Sequence, residues 1–435
     1  MKRENNELFI FLDDTLVGSW TMDNNLSHQF TYSTSYLQQP QRNAISLSLP
    51  LTSIVYKGDV VRNYFENLIS ENESLRQSIK RTFNCESTQA FDILAEIGAD
   101  CVGAIKILPE KEVKHPEKNL TMKPIDDAHI AQIIREGGTF SKWQDSSNNN
   151  FRISIAGEQA KTALLSYNGS WFIPTKNTPT THICKFPIGR IGNIGLSDSV
   201  EIEWCTSLLY RLLGGKVASS SIYYADGQKM LCVERFDRVL HSDKTRIQRI
   251  IQEDMCQALS YPSAQKYQVD GGPGILEIDT LLKGSAHKRD RMTFYTSIII
   301  HYLMTTIDAH AKNYSIHLVE NENYYLTPLY DLLSIYPIMG KKGDQIPPQK
   351  VRMAMSLARS NNHYNWNSTA KGHLKDTGIL LGFTPIQIEL LLDEIYEIIP
   401  KAISQCKDAV PSSIPPYIPG RTCEGLEKMK QKIFN

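Results

Sequence analysis

The chain lacks paired cysteines: its eight (Cys85, Cys101, Cys184, Cys205, Cys232, Cys256, Cys406 and Cys423) form no C-x-x-C motif and sit in apolar contexts. That argues against a disulfide framework or a zinc ribbon and for reduced core thiols in a cytoplasmic protein. Long apolar runs are also missing. Stretches such as 297–304 fall short of the roughly 20 residues a membrane-spanning helix needs. The opening, MKRENNELFIFLDD, has none of the long apolar core of a secretory leader. Neither sign of charge prevails, with 47 Lys and Arg against 47 Asp and Glu. Without a global positive field, no membrane contact is expected, and any association with DNA should run through a partner.

What is present is globular material. Hydrophobic residues make up 41% and charged residues 22% of 435 positions, a length that suggests two or three domains. The chain is organised around TIDAHAKNYSIHLVENENYYLTPLYD, 306–331. It places Asp308, His310, Lys312 and Asn313 on one short loop, with a second carboxylate, Asp331, after the next apolar run. Asp308 and Asn313 have the D-x-x-x-x-N spacing of a kinase catalytic loop, where the Asp accepts a hydroxyl proton and the Asn holds a metal. Phosphoryl transfer needs a hard cation, usually magnesium, held by one or two protein oxygens plus the phosphates of ATP. Asn313 and Asp331 supply such oxygens, and Asp308 then remains to orient a nucleophile. The plain alternative is that all three are turn and cap residues, places that Asp and Asn favour.

Residues 7–56 alternate short β-rich runs with Asp, Asn, Gly and Pro punctuation, which predicts a small antiparallel sheet. Helical spacing follows at 61–69 and 73–83, the second with Asn72 as a cap, and AFDILAEIGADCVGAIKILPE reads as a short helix running into a strand. This part holds no catalytic constellation and reads as a structural or partner-binding domain. Its boundary is placed at EKEVKHPEK, 110–118, where periodicity lapses. FRISIAGEQAKTALLS then reads as two strands around a tight loop with Gly157, which is neither the Walker pattern nor G-x-G-x-x-G. By itself this is an ordinary hairpin or a nucleotide loop. Two strand candidates, SWFIP and THICKFP, come next, and Lys185 in the second is either an edge lysine reaching water or one that holds a phosphate. The helix expected at 200–213 offers Glu203, or Glu201, as a partner for that lysine.

Asp226-Gly227 predicts a hairpin between ASSSIYY and KMLCVE. It ends in ERFDR, where main-chain groups of Glu234 and Phe236 would meet adenine and Asp237 the ribose. Helical patterns are read at 252–260, 279–282, 291–307 and 384–399. The last has a capping-box start at Thr384, Pro385 and Gln387. Three divisions follow: an N-terminal β-rich part over 1–110, a small lobe over 119–237 and a helical large lobe over 238–435. A lysine, a helix glutamate, a hinge, then D-x-x-x-x-N and a later Asp come in the order of a kinase.

SIAGEQAKTALL, THICKFPIG, VERFDR, QEDMCQALS, DAHAKNYSIHL and LTPLYDLLSIYP together resemble the HipA-type toxin kinases of bacterial toxin–antitoxin pairs, and ISLSLPLT, GDVVRNYFENL and ILAEIGADCVGAIKILPE extend the likeness over nearly the whole chain. The resemblance implies an α+β, two-lobed, protein-kinase-like fold related to phosphoinositide kinases, with an added N-terminal β-rich subdomain. It implies a serine/threonine protein kinase using ATP and Mg2+, bound by a dimeric helix-turn-helix antitoxin and through it to operator DNA. Asp308 would be the base, and Asn313 and Asp331 the metal ligands. Ala156, Gly157, Gln159, Lys161 and Asn313 would bind ATP, Lys185 and His310 contacting its phosphates and Glu234, Arg235, Phe236 and Asp237 holding the nucleoside, and Ser154 would be an autophosphorylated serine that limits activity. The family usually reads G-A-Q-E-K where this chain has Gly157-Glu158-Gln159-Ala160-Lys161. An aminoacyl-tRNA synthetase is the first candidate substrate among translation proteins. Two further classes stand beside this reading: a small-molecule kinase of the aminoglycoside or choline type, and a non-catalytic corepressor.

Overall fold

The structure, a computed structural model, describes residues 6–111, 120–137, 159–175, 177–320, 322–358 and 362–434. The chain divides into two compact units: Met1–Phe186, Tyr224–Lys266 and Ser315–Tyr325 form the first, and Pro187–Tyr223, Tyr267–Tyr314 and Leu326–Asn435 the second.

The first unit begins with an antiparallel five-stranded sheet, in the order Val55–Lys57, His28–Tyr32, Thr15–Met22, Glu7–Leu12, Ile105–Leu108. Alternation along these strands puts Leu8, Ile10, Trp20, Met22 and Phe30 on one buried face, and Val17, at a bulge in the second strand, is buried in the same core. The helices Asp59–Glu66 and Ala90–Ile97 cover it. Trp20 stacks on Phe65 at 3.9 Å and meets Phe91 edge-on at 4.8 Å, so the largest apolar surfaces share one spot. The helix Glu73–Phe83 starts where Asn72 caps it, the Asn72 side chain accepting from the amide of Leu75.

A second sheet in this unit runs Gln228–Glu234, His182–Lys185, Lys161–Tyr167, Ser170–Pro174, Met122–Pro124. Asp226 and Gly227 turn into its first strand with φ of 43° and 73°, the left-handed pair a tight hairpin requires. A third sheet joins Gln252–Asp254, Ser315–Val319 and Asn323–Leu326.

Here one expectation is overturned. Residues 252–260 are not one helix: Gln252–Asp254 is a strand paired with Ser315–Val319, and a helix spans only Met255–Ala258. Asp254 and Gln257 form a capping box that starts the helix late, and pairing with a distant strand outweighs local periodicity.

The two larger sheets share one unit because a buried ion network joins them. Asp100 accepts from Arg238 at 2.9 Å and from the Thr180 hydroxyl at 2.6 Å, and lies 3.5 Å from both Arg235 and Arg249. Asp237 accepts from Arg235 at 2.8 Å, Arg238 at 3.0 Å and the Gly103 amide at 2.7 Å. Burial alone would raise the Asp100 carboxyl, but three guanidinium groups and Thr180 hold it well below the usual aspartate range.

Glu253 is a second tether to the amino-terminal part. It is fully buried and accepts from the Ser46 hydroxyl at 2.5 Å and the Leu47 amide at 2.8 Å. Burial nevertheless pushes its carboxyl up to about 8 from an ordinary 4.5. Between those values the folded chain keeps a proton that the unfolded chain releases, so this group makes stability fall as pH rises through the window. Glu253→Gln should remove that loss. In urea titrations at pH 5 and pH 8, the wild type should weaken more than the variant between the two conditions; parallel curves would refute the assignment.

The second unit is mainly helical: Ser199–Leu212, Ile275–Leu282, Asp290–Met304, Lys371–Leu380, Pro385–Ala409 and Tyr417–Phe434, with two short strand pairs. The Thr384 side chain accepts from the Gln387 amide in the expected capping box, and the helix then runs 25 residues through Pro400. All eight cysteines are buried and unbridged. No helix among the described residues is long and apolar enough to cross a membrane.

Candidate active site

In the second unit the helix Asp290–Met304 stops at Thr305, whose φ of 54° turns the chain out of the helix. The following loop is pinned by polar groups around it. Thr306 and Tyr210 both hydrogen-bond with His301 Nδ1, at 2.5 and 2.6 Å, and with each other at 2.8 Å. Burial pushes His301 down to about 3, so this hub is neutral and bonds by its lone pair or its N–H. Tyr336 donates to the Leu303 carbonyl at 2.6 Å and Ser334 to that of Met304 at 2.6 Å. Gly425, on the last helix, lies so close to Tyr336 that an added Cβ would come within 2.3 Å of its ring.

Within the loop, Asp308 is exposed while His310, Lys312 and Asn313 are buried. The Asn313 side-chain amide donates to the Asp308 carbonyl at 2.7 Å. That contact uses one N–H of the amide and leaves its oxygen as the acceptor end of the side chain. Tyr267 donates to Asp308 Oδ1 at 2.6 Å and meets the His310 ring edge-on at 5.0 Å. Tyr330 donates to the Lys312 carbonyl at 2.8 Å. Its neighbour Asp331 is half-buried with φ of 59°, a conformation Asp tolerates better than most residues and one that clusters at functional sites. Asn313 and Asp331 each carry a side-chain oxygen, the ligand type a hard cation such as magnesium takes beside phosphate and water. Among the described residues no cluster of three or more His, Cys, Asp or Glu could hold a metal by itself.

In the first unit, Lys185 and Lys161 stand directly opposite each other on adjacent antiparallel strands, so their side chains share one sheet face. Gln159 donates to the Phe186 carbonyl at 2.6 Å beside them. Glu234 ends the neighbouring strand, exposed, and half-buried Phe236 meets His317 edge-on at 5.6 Å.

A family model described as the HipA-like C-terminal domain matches residues 153–403. The chain belongs to the HipA family. A second model, the HipA N-terminal domain, matches residues 8–108. The chain is 29% identical over 408 residues to Y4mE of Sinorhizobium fredii, a protein named as a kinase candidate, covering 92% of this chain and 93% of that one. It is 28% identical over 346 residues, three quarters (75%) of each chain, to the serine/threonine-protein kinase toxin HipA of Shewanella oneidensis. It also shares its fold, with a TM-score of 0.80 at 23% identity over 98% of this chain and 97% of the other, with a solved chain of the Shewanella oneidensis HipA, HipB and operator DNA complex.

Against the expectations from sequence, this HipA-family chain brings Asp308, His310 and Asn313 onto one loop of the second unit. Lys161 and Lys185 stand opposite each other on one face in the first unit, and Gln159 donates to the carbonyl of Phe186, the residue after Lys185. Glu203 is buried on the helix Ser199–Leu212 of the second unit. Two expected nucleoside contacts are redirected. Arg235 spends its amide on the Thr181 carbonyl and its guanidinium on Asp237, Thr180 and Cys101. The Asp237 carboxylate is enclosed by Arg235, Arg238 and Gly103, so it is not presented to a ribose. Ser154, Ala156 and Gly157 lie outside the described residues. Sequence reasoning missed Tyr267, Tyr330 and His301. Nothing in the spacing of the sequence ties any of the three to the loop.

Proposed function

We propose that this HipA-family protein is a serine/threonine protein kinase, related in fold to phosphoinositide kinases, that uses ATP and magnesium and acts as the toxin of a toxin–antitoxin pair. The observation that carries the reading is the loop of Asp308 to Asn313: an exposed carboxylate whose own carbonyl orients an asparagine oxygen for a cation. Asp308 accepts the proton of the attacking hydroxyl. Asn313 and Asp331 are the oxygen ligands for magnesium, which when bound offsets the negative charge of the phosphates. Lys161, Lys185, Gln159 and His310 hold phosphate oxygens, with Ala156 and Gly157 in the preceding loop. Main-chain groups of Glu234 and Phe236 receive adenine, while Arg235 and Asp237 brace that segment from behind.

The partner is a dimeric helix-turn-helix antitoxin; the Shewanella oneidensis chain of similar fold was solved as a toxin–antitoxin system with HipB and operator DNA. Balanced net charge fits DNA reached through that partner and not by the kinase itself. The protein works in the cytoplasm on a translation protein, with an aminoacyl-tRNA synthetase as the first candidate, and autophosphorylation of Ser154 limits it. The test is incubation of purified protein with magnesium, labelled ATP and bacterial lysate. Label should enter protein, in bands absent with Asp308→Ala. Label in a small metabolite alone would indicate a small-molecule kinase, and no transfer at all a corepressor.

A further inference from the structure

We propose that Tyr267 is the positioning residue that sets the orientation of the Asp308 carboxylate, an inference that rests on Asp308 being the proton acceptor. Asp308 is exposed, and an exposed aspartate on a loop samples several rotamers. Here one does not go unsupported: the Tyr267 hydroxyl donates to Oδ1 at 2.6 Å. A carboxylate with one oxygen fixed this way turns its other oxygen, Oδ2, toward the incoming hydroxyl. The phenol also meets the His310 ring edge-on, so one side chain touches both the proposed base and a proposed phosphate contact.

The tyrosine can do this only if it is itself fixed, and the surrounding bonds fix it. Its carbonyl accepts from the amides of Asp270 and Gly272, closing the turn Gln268–Asp270. The Gln268 side-chain oxygen accepts from the Ser356 amide at 2.7 Å and the Ser356 hydroxyl at 3.1 Å. Ser356 belongs to the strand Arg352–Leu357, and two residues earlier on it the Ala354 amide donates to the Ile307 carbonyl at 2.9 Å. One strand therefore holds both the tyrosine's turn and the residue next to Asp308. Gly274 packs against Gln268, where an added Cβ would come within 2.5 Å of the amide, leaving the glutamine no room to swing away. The separation of Tyr267 and Asp308 is thus set by a common support and not by chance meeting of two loops.

The chemistry separates this role from mere packing. The phenylalanine variant keeps the ring against His310 and loses only the donated hydrogen bond. Initial rates of label transfer from magnesium-ATP to lysate protein, measured over a range of ATP concentrations, give the saturating rate and the KM for ATP. With Tyr267→Phe, the saturating rate should fall roughly tenfold or more, while the KM for ATP stays within about twofold, the pattern of lost orientation at the reacting centre. The melting temperature should not move. Tyr267→Ala should lower the rate further and raise the KM as well, through the lost ring contact with His310. A wild-type rate in Tyr267→Phe beside an inactive Asp308→Asn would overturn the positioning role. So would a loss of rate that merely tracks lower melting temperature and weaker ATP binding. An Asp308→Asn variant as active as wild type is a different result, one that sinks the assignment of the base itself.

Discussion

Asp308→Asn should reduce phosphate transfer by about two to four decades, roughly 3–5 kcal/mol of transition-state stabilisation, the ordinary worth of a positioned general base. The substitution is nearly isosteric. The main-chain carbonyl at 308 still receives the Asn313 amide, and an asparagine oxygen can still accept from Tyr267. What disappears is the negative charge that takes the proton. Because the side chain is exposed, stability should be unchanged, so a melting curve like the wild type's belongs to the expected result. Asp331→Asn should be similarly inactive, and asparagine tolerates the positive φ at that position as aspartate does. Either variant keeping more than a tenth of the wild-type rate in the labelled-ATP assay would refute its role.

The largest stability loss is expected away from the loop. Asp100→Asn takes a carboxylate from among Arg235, Arg238 and Arg249, all buried. Removing one partner from a buried ion pair leaves uncompensated charge and costs about 3–5 kcal/mol. Urea unfolding at pH 7 should show it. Asp100 titrates below the usual aspartate range in the folded chain, so its contribution is full at neutral pH and is lost as pH falls through the acid region. The gap between wild type and variant should therefore narrow in acid. A variant with an unchanged unfolding midpoint at pH 7 would mean that the network contributes nothing net. Since Arg235 and Asp237 share it, some loss of ATP affinity should accompany the instability.

How far the sequence could be read follows from how local each cause is. The Asn72 and Thr384 caps and the Asp226-Gly227 turn are decided within a few residues, and each was legible. The strand Gln252–Asp254 was not, because its partner Ser315–Val319 lies far along the chain and its own residues also suit a helix. The fate of Asp237 was hidden for the same reason. A charged strand end reads as an exposed site unless one knows that Asp100 and Gly103 close over its arginines. Tyr267 shows the limit most plainly: its hydroxyl reaches Asp308 across 41 positions, and only the shared strand Arg352–Leu357 makes that meeting dependable.

The way the two units are drawn from the chain also governs the order in which the ribosome can complete them. The amino-terminal sheet has all its strands once Leu108 has emerged, but the strand Gln252–Asp254 waits for Ser315–Val319 before it has a neighbour. The loop of Asp308 waits longer still, since Tyr336 beneath it is backed by Gly425 on the final helix. A nascent chain lacking its last few dozen residues would carry every residue of the proposed site and still leave that loop without its support. That packing beneath the loop is completed only once the helix Tyr417–Phe434 has been made.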